Sequence, residues 1–241
     1  GHGTGQKGLE KVTGSKILVT GAGGFIGFNL CLALALKGHR IIGVDLHYPE
    51  SGLASGEVPF DANIGDFRDT PAMQTWLSGV DYVIHLASVH LQVSLGDEVY
   101  WDVNVHSLKD FLAQAQEAGV KRFVHVSSAG VYGKLEEIPA DEDTPCRPQS
   151  IYGETKLAGE KEVLSYSQAT GFPVVIVRPA WVFGRYCPRT MKIYRTLKKG
   201  RFVMIGDGQN LRHPIYIADM IEAFRQCMHS ENAVGSTLLI A

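Results

Sequence analysis

Five runs of apolar residues mark out the chain: KILVT (16–20), RIIGVD (40–45), DYVIHLA (81–87), RFVHVSS (122–128) and PVVIVRP (173–179). Within each run apolar side chains follow one another instead of alternating with polar ones, as in strands covered on both faces. The stretches between them have helical periodicity, and two end on glycine: 33–37 before Gly38 and 108–118 before Gly119. Strand–helix alternation of this kind predicts an α/β domain built on a doubly wound parallel sheet. Two further segments, Tyr152 to Ala169 and MKIYRTLKKG (191–200), are expected as helices, the second on the surface. Gly133 to Ser150, with Pro139, Pro145 and Pro148, is expected as a long loop.

Composition narrows the possible partners. The 241 residues carry a formal net charge of -2, with 45% hydrophobic and 20% charged residues, so there is no basic footprint for nucleic acid or an anionic membrane surface. The longest apolar run, Phe25 to Leu36, falls short of the roughly 20 residues that span a bilayer. A soluble protein acting on a small molecule is expected. Residues 1–15, rich in glycine and without a secretory apolar core, are expected to be a tag or disordered. Cys31, Cys146, Cys187 and Cys227 are widely spaced, with no C-x-x-C pair and no histidine cluster. That predicts no metal site and a reducing, cytoplasmic setting, with Cys187 an ordinary thiol.

Chemistry first shows after the first strand, where GAGGFIG places Gly21, Gly24 and Gly27 at the opening of a helix. Phe25 and Ile26 lie between them, Ile26 where a G-x-G-x-x-G pattern would want its third glycine. The physical logic is unchanged: a tight turn, backbone N–H groups open to a pyrophosphate, and close packing of helix on strand. Asp45 closes the next strand, where a carboxylate meets ribose hydroxyls. It would repel a 2′-phosphate, so NAD is favoured over NADP unless His47 or Arg68 offsets it. A Rossmann-type dinucleotide domain is predicted over 16–180, with 181–241 an interleaved substrate-binding part.

Two Tyr-x-x-x-Lys pairs occur, Tyr152 with Lys156 and Tyr194 with Lys198, and chance alone supplies about half a pair. Tyr152 opens an amphipathic segment after the proline-rich loop, and Ser127 and Ser128 end a buried strand upstream, where ligands of parallel sheets lie. Tyr194 has no such company. Ser128, Tyr152 and Lys156 are therefore the predicted catalytic set. An ammonium about 4 Å from the phenol is worth about 4 kcal/mol at an effective dielectric of about 20, and is expected to lower its proton affinity against burial. Tyr152 would then take a carbinol proton as hydride leaves, with Ser128 bonding the developing carbonyl and Lys156 holding the nicotinamide ribose. His85 and His125 are expected as satisfied core histidines, Trp76 and Trp101 as packing residues.

These residues, with GDFRD (65–69), HLAS (85–88), Asn104, SSAGVYG (127–133), RPAWVFG (178–184) and GDGQNLRHPIYIAD (206–219), resemble the extended short-chain dehydrogenases/reductases, the NAD-dependent epimerase/dehydratase group. The resemblance implies that Asp66 and Phe67 lie at the adenine, Leu86 and Ala87 along the cofactor, Asn104 in the cofactor site and Pro179 by the nicotinamide. It also implies a homodimer through helices at about 97–118 and 152–169. Ser128-Ala129-Gly130 stands where the group's 4,6-dehydratases carry Thr-Asp-Glu, which disfavours dehydration. Trp181 stands where sugar-nucleotide epimerases carry Asn and is expected at the substrate. Arg212 matches an arginine aimed at a diphosphate, where a planar guanidinium suits two anionic oxygens; a surface ion pair is its plainer reading. The resemblance further implies that the sequence is truncated within its substrate-binding part. An NAD-dependent oxidoreductase or epimerase acting on a nucleotide-linked sugar is expected. A 3-beta-hydroxysteroid dehydrogenase-like enzyme, suggested by Trp181, and a non-catalytic NAD(P) sensor are the alternatives.

Overall fold

The computed structural model describes residues 14–48, 58–90, 94–136, 138–204, 206–209 and 211–241. The expected tag therefore lies almost wholly outside the described residues. In chain order the elements are β1 (Lys16–Thr20), α1 (Phe25–Leu36), β2 (Arg40–Asp45), β3 (Asp61–Ile64), α2 (Thr70–Leu77), β4 (Tyr82–His85), α3 (Asp97–Trp101), α4 (Leu108–Glu117) and β5 (Arg122–Val126). Then follow α5 (Ile151–Thr170), β6 (Val174–Pro179), β7 (Trp181–Phe183), α6 (Pro188–Lys198), β8 (Pro214–Tyr216), α7 (Ile217–His229) and β9 (Thr237–Ile240).

Seven parallel strands form one sheet in the order β3-β2-β1-β4-β5-β6-β9, and β7 pairs with β8 in a separate two-stranded sheet. The continuous apolar runs follow from burial on two sides. Ile17 and Val19 of β1 join a core with Leu30 and Leu34 of α1 and Met220 and Phe224 of α7. Leu18, between them, joins a second core with Met73, Leu77, Phe111, Leu112 and Val163 on the other face. Successive side chains of a strand point to opposite faces, so both faces need apolar residues.

The five expected strands are all present. β4 and β5 stop two residues earlier than the apolar runs, because 86–87 and 127–128 leave the sheet for its C-terminal edge. Leu86 N–H still reaches Thr20 O at 3.1 Å and Ser127 N–H reaches Val177 O at 2.7 Å before the chains diverge. β3 was not legible: DANI is a mostly exposed edge strand with no apolar run. β9 pairs with β6, so part of 181–241 belongs to the main sheet.

Helix ends follow local chemistry. Asp69 accepts from Ala72 N–H at the start of α2, Ser150 Oγ accepts from Gly153 N–H at the start of α5, and Gly171 ends α5 at φ 74°. α6 begins at Pro188, three residues before the expected segment, since proline suits a first helical turn. Cys187 precedes it, buried with Sγ 3.9 Å from Val182 O; all four cysteines are free thiols. No helix among the described residues is long and apolar enough to cross a membrane.

Candidate active site

Gly21, Asp45, Leu86, Ala87, Ser128 and Pro179 lie at or just past the C-terminal ends of the sheet's strands, and Tyr152 and Lys156 lie on α5. Gly21 turns at φ 73°, and a Cβ there would meet Ala87 N at 2.7 Å; a Cβ on Gly27 would meet Gly21 O at 2.1 Å. The turn from β1 to α1 is thus too tight for side chains, as the glycine array implied. Gly23 was not among the chosen glycines, yet its Cβ would sit 2.0 Å from His47 O, and its N–H donates to Asp45 Oδ2 at 2.9 Å. Unlike α2 and α5, α1 has no side-chain cap at Gly24, which leaves its first-turn N–H groups for an anion.

Asp45 is half-buried at the end of β2, with one oxygen held by Gly23. Arg68 does not offset its charge, because the guanidinium is taken by Asp66, at 2.6 Å, and by Asp102. Asp66, Phe67 and Arg68 line a cleft of about 630 Å³ together with Asp102, His106 and Ser107. That cleft, on the α2–α4 side, includes neither the glycine turn nor Tyr152. Leu86 and Ala87 lie directly beneath Gly21, and Pro179 is the buried last residue of β6.

Tyr152 sits in the first turn of α5, and the Ser128 side chain lies near enough to its phenol to lower the phenol's proton affinity. The hydroxyl of Ser128 also accepts from Gly130 N–H at 3.0 Å, which fixes the turn 129–132 after β5. Lys156, one turn further along α5, is 2% exposed, and burial brings its ammonium down to about 8 against the opposing charge of Glu160. The expected lowering of the Tyr152 phenol is not what the structure shows. Burial raises it, and Ser128 offsets part of the rise, because removing water from the phenolate outweighs what one polar neighbour returns.

Glu160 does not pair with Lys156. Its two carboxylate oxygens accept from Arg178 Nε and Nη2 at 3.0 and 2.7 Å, and Arg178 Nη1 donates to Tyr132 Oη at 3.0 Å. Asn104 is buried with both ends of its amide engaged: Oδ1 accepts from Val89 N–H at 2.9 Å, and Nδ2 donates to Thr155 Oγ1 at 3.0 Å. It stands in a π-helical turn, 102–106, between α3 and α4, and clamps the loop after β4 to α5.

His85 is satisfied, with Nδ1 2.7 Å from Thr20 Oγ1. His125 departs from expectation: it stacks on His85 at 5.6 Å, but neither ring nitrogen has a partner among the described residues. Burial, with the Lys156 charge, lowers His85 to about 3 and His125 well below the usual range. Trp76 packs over Gly65 and Trp101 stacks on His106. Trp181 is half-buried, its indole N–H unpartnered among the described residues. Arg212 is exposed ahead of β8 and makes no ion pair among the described residues.

One neighbour of Tyr152 escaped the sequence reading. His90, in the loop held by Asn104, lies with its ring centroid 4.5 Å from that of Tyr152. Nothing in SVH (88–90) marks it, since the contact joins residues 62 positions apart.

A seven-stranded parallel sheet with a glycine turn at β1 and an acid at the end of β2 defines a Rossmann-type dinucleotide-binding protein. Comparison with known proteins makes this specific: the model of the NAD dependent epimerase/dehydratase family matches residues 17–241, and the chain belongs to that family. It is 32% identical to an uncharacterized UDP-glucose epimerase, YtcB, of Bacillus subtilis, over 93% of this chain and 76% of that protein. It is 34% identical to the N-acetyl-alpha-D-glucosaminyl-diphospho-ditrans,octacis-undecaprenol 4-epimerase of Escherichia coli O157:H7, over 86% of this chain and 61% of that protein. Among solved structures, UDP-glucuronic acid 4-epimerase from Bacillus cereus, in complex with UDP-glucuronic acid and NAD, superposes with a TM-score of 0.82 at 28% identity. The match covers 94% of this chain and 77% of that one.

Proposed function

We propose that this protein is an NAD-dependent oxidoreductase of the epimerase type that oxidises a secondary alcohol on a nucleotide-linked sugar. One observation carries the reading: Ser128 just past the end of β5, the Tyr152 phenol on which it acts, and buried Lys156 one turn further along α5 gather at the C-terminal edge of the sheet. The residues fit the dinucleotide, since Gly21, Gly23 and Gly27 leave room only for backbone and Asp45 presents a carboxylate beside the turn. NAD, when bound, supplies the hydride acceptor. Tyr152 takes the carbinol proton, Ser128 donates to the oxygen as it becomes a carbonyl, and Lys156 holds the nicotinamide ribose and stabilises the phenolate.

The epimerases among the relatives support a sugar nucleotide over a sterol. Ala129 and Gly130 offer no acid for eliminating water, which disfavours dehydration. Residues 181–216, with the two-stranded sheet and α6, serve as the substrate-binding part, and Trp181 and Arg212 face the substrate. Asp66, Phe67, Leu86, Ala87, Asn104 and Pro179 form the cofactor site, Asn104 by holding the loop after β4. The protein works as a homodimer through α3, α4 and α5 in a reducing cytoplasm, and sedimentation reads the dimer.

Thermal unfolding with ligands tests the reading. NAD at about 100 times its dissociation constant adds roughly 2.7 kcal/mol, or about 5 to 11 °C at this size, with NADP well below it. A UDP-, dTDP- or GDP-linked sugar then adds a second rise. A second rise from sterols alone overturns the sugar-nucleotide assignment.

A further inference from the structure

His90 has no place in the chemistry above, yet it touches the residue at its centre. Its imidazole and the Tyr152 phenol ring have centroids 4.5 Å apart and planes inclined by 46°. The loop that carries it is not free to drift. Asn104 accepts from Val89 N–H and donates to Val89 O, at 2.9 and 3.3 Å, and also donates to Thr155, three residues beyond Tyr152 on α5. One buried amide thus sets the spacing between His90 and the helix that bears Tyr152. His90 is itself exposed while Tyr152 is half-buried, so the imidazole stands between the phenol ring and solvent.

We propose that His90 is a positioning residue for Tyr152: its ring caps the phenol, fixes the ring's orientation and holds water off that face. The groups that face the phenol come from three elements. Ser128 acts on it from the turn after β5, and Lys156 lies one turn along α5. His90 covers it from the loop after β4, and Gly130 lies alongside, where even a Cβ would be in ordinary contact with Tyr152 Cε1 at 3.9 Å. His90 is exposed as a residue but its ring is partly desolvated, and this, with the positive charges of Arg189 on α6 and of Lys156, lowers its proton affinity. The cap is therefore biased toward its neutral form and packs at a tilt on the phenol, beside Lys156.

The proposal rests on the reading of Tyr152 as proton acceptor only for its kinetic consequence; the contact is testable without substrate. The experiment replaces the nine tyrosines biosynthetically with fluorotyrosine, which ionises at a milder pH, and follows each by fluorine NMR. The Tyr152 resonance is the one lost in Tyr152→Phe. In His90→Ala it is expected to shift and to titrate at lower pH than in the parent, because water now reaches the phenolate. In His90→Phe, which keeps a ring in place, it titrates as in the parent. In kinetics His90→Ala lowers kcat by roughly tenfold or more with KM little changed, and His90→Phe recovers most of it. A Tyr152 resonance that titrates alike in parent and His90→Ala overturns the proposal whatever happens to kcat. Full activity in Tyr152→Phe would instead defeat the functional reading and leave the titration result standing.

Discussion

Tyr152 with Lys156 and Tyr194 with Lys198 share residue types and spacing, and each pair lies on a helix. Their surroundings differ in almost every other respect. α5 buries Gly153, Thr155, Lys156, Gly159, Glu160 and Val163 against the sheet and α4, whereas α6 buries none of its residues and leaves Tyr194 56% exposed. Spacing alone puts an ammonium and a phenol on one face of a helix. It takes burial beside a strand end to change their proton affinities, and Ser128 acts on the Tyr152 phenol besides.

The comparison can be broken most directly at the tyrosines. Tyr152→Phe should lower kcat by about 10²- to 10⁴-fold while NAD still raises the unfolding midpoint, and Tyr194→Phe should change neither. Equal losses in the two variants would mean that spacing, not environment, selects the pair.

The interior that supports Lys156 should be nearly as sensitive. Glu160→Gln leaves Arg178, buried and bonded to it through two nitrogens, short of its counter-ion. The expected loss is about 3–5 kcal/mol, roughly 6 to 20 °C in midpoint. Glu136→Gln, which frees the exposed Arg147, should cost under about 1 kcal/mol. Calorimetry on both separates a buried pair from a solvated one.

A smaller effect belongs to the stacked histidines. Both have folded-state pKa values below the unfolded value of about 6.5, so the unfolded chain binds more protons below that pH. Stability is therefore full above about pH 6.5 and is lost as pH falls, continuing to about 3 for His85. Each should cost about 2 kcal/mol between pH 6.5 and 5. His125→Leu removes two unpartnered nitrogens, and urea unfolding should show it more stable than the parent at pH 5, with a shallower pH slope. The smallest change is expected at Lys198→Ala on the exposed helix, within about 0.5 kcal/mol of the parent and with kcat unaltered.

The central strands, the glycine turn and Asp45 were legible because each depends on neighbours close in the chain. Two-sided burial writes an unbroken apolar run, and a turn without room for Cβ demands glycine where it occurs. β3 was not legible, because an edge strand paired through its backbone needs no apolar side chains and DANI has few. Gly23 was passed over because what excludes its Cβ is His47 O, 24 residues away.

The amino-acid sequence by itself determined the layered parallel sheet, the place of the dinucleotide turn and which Tyr-x-x-x-Lys pair stands after a strand ending in serine. These are read from periodicity and order along one dimension. Tertiary structure alone decided that Glu160 serves Arg178 and not Lys156, that His125 is buried without a partner, and that His90 covers Tyr152. Each of these depends on which distant side chains share a small volume from which water is excluded. There the cost of removing charge and polar groups from water, more than the residue's own chemistry, settles what it does.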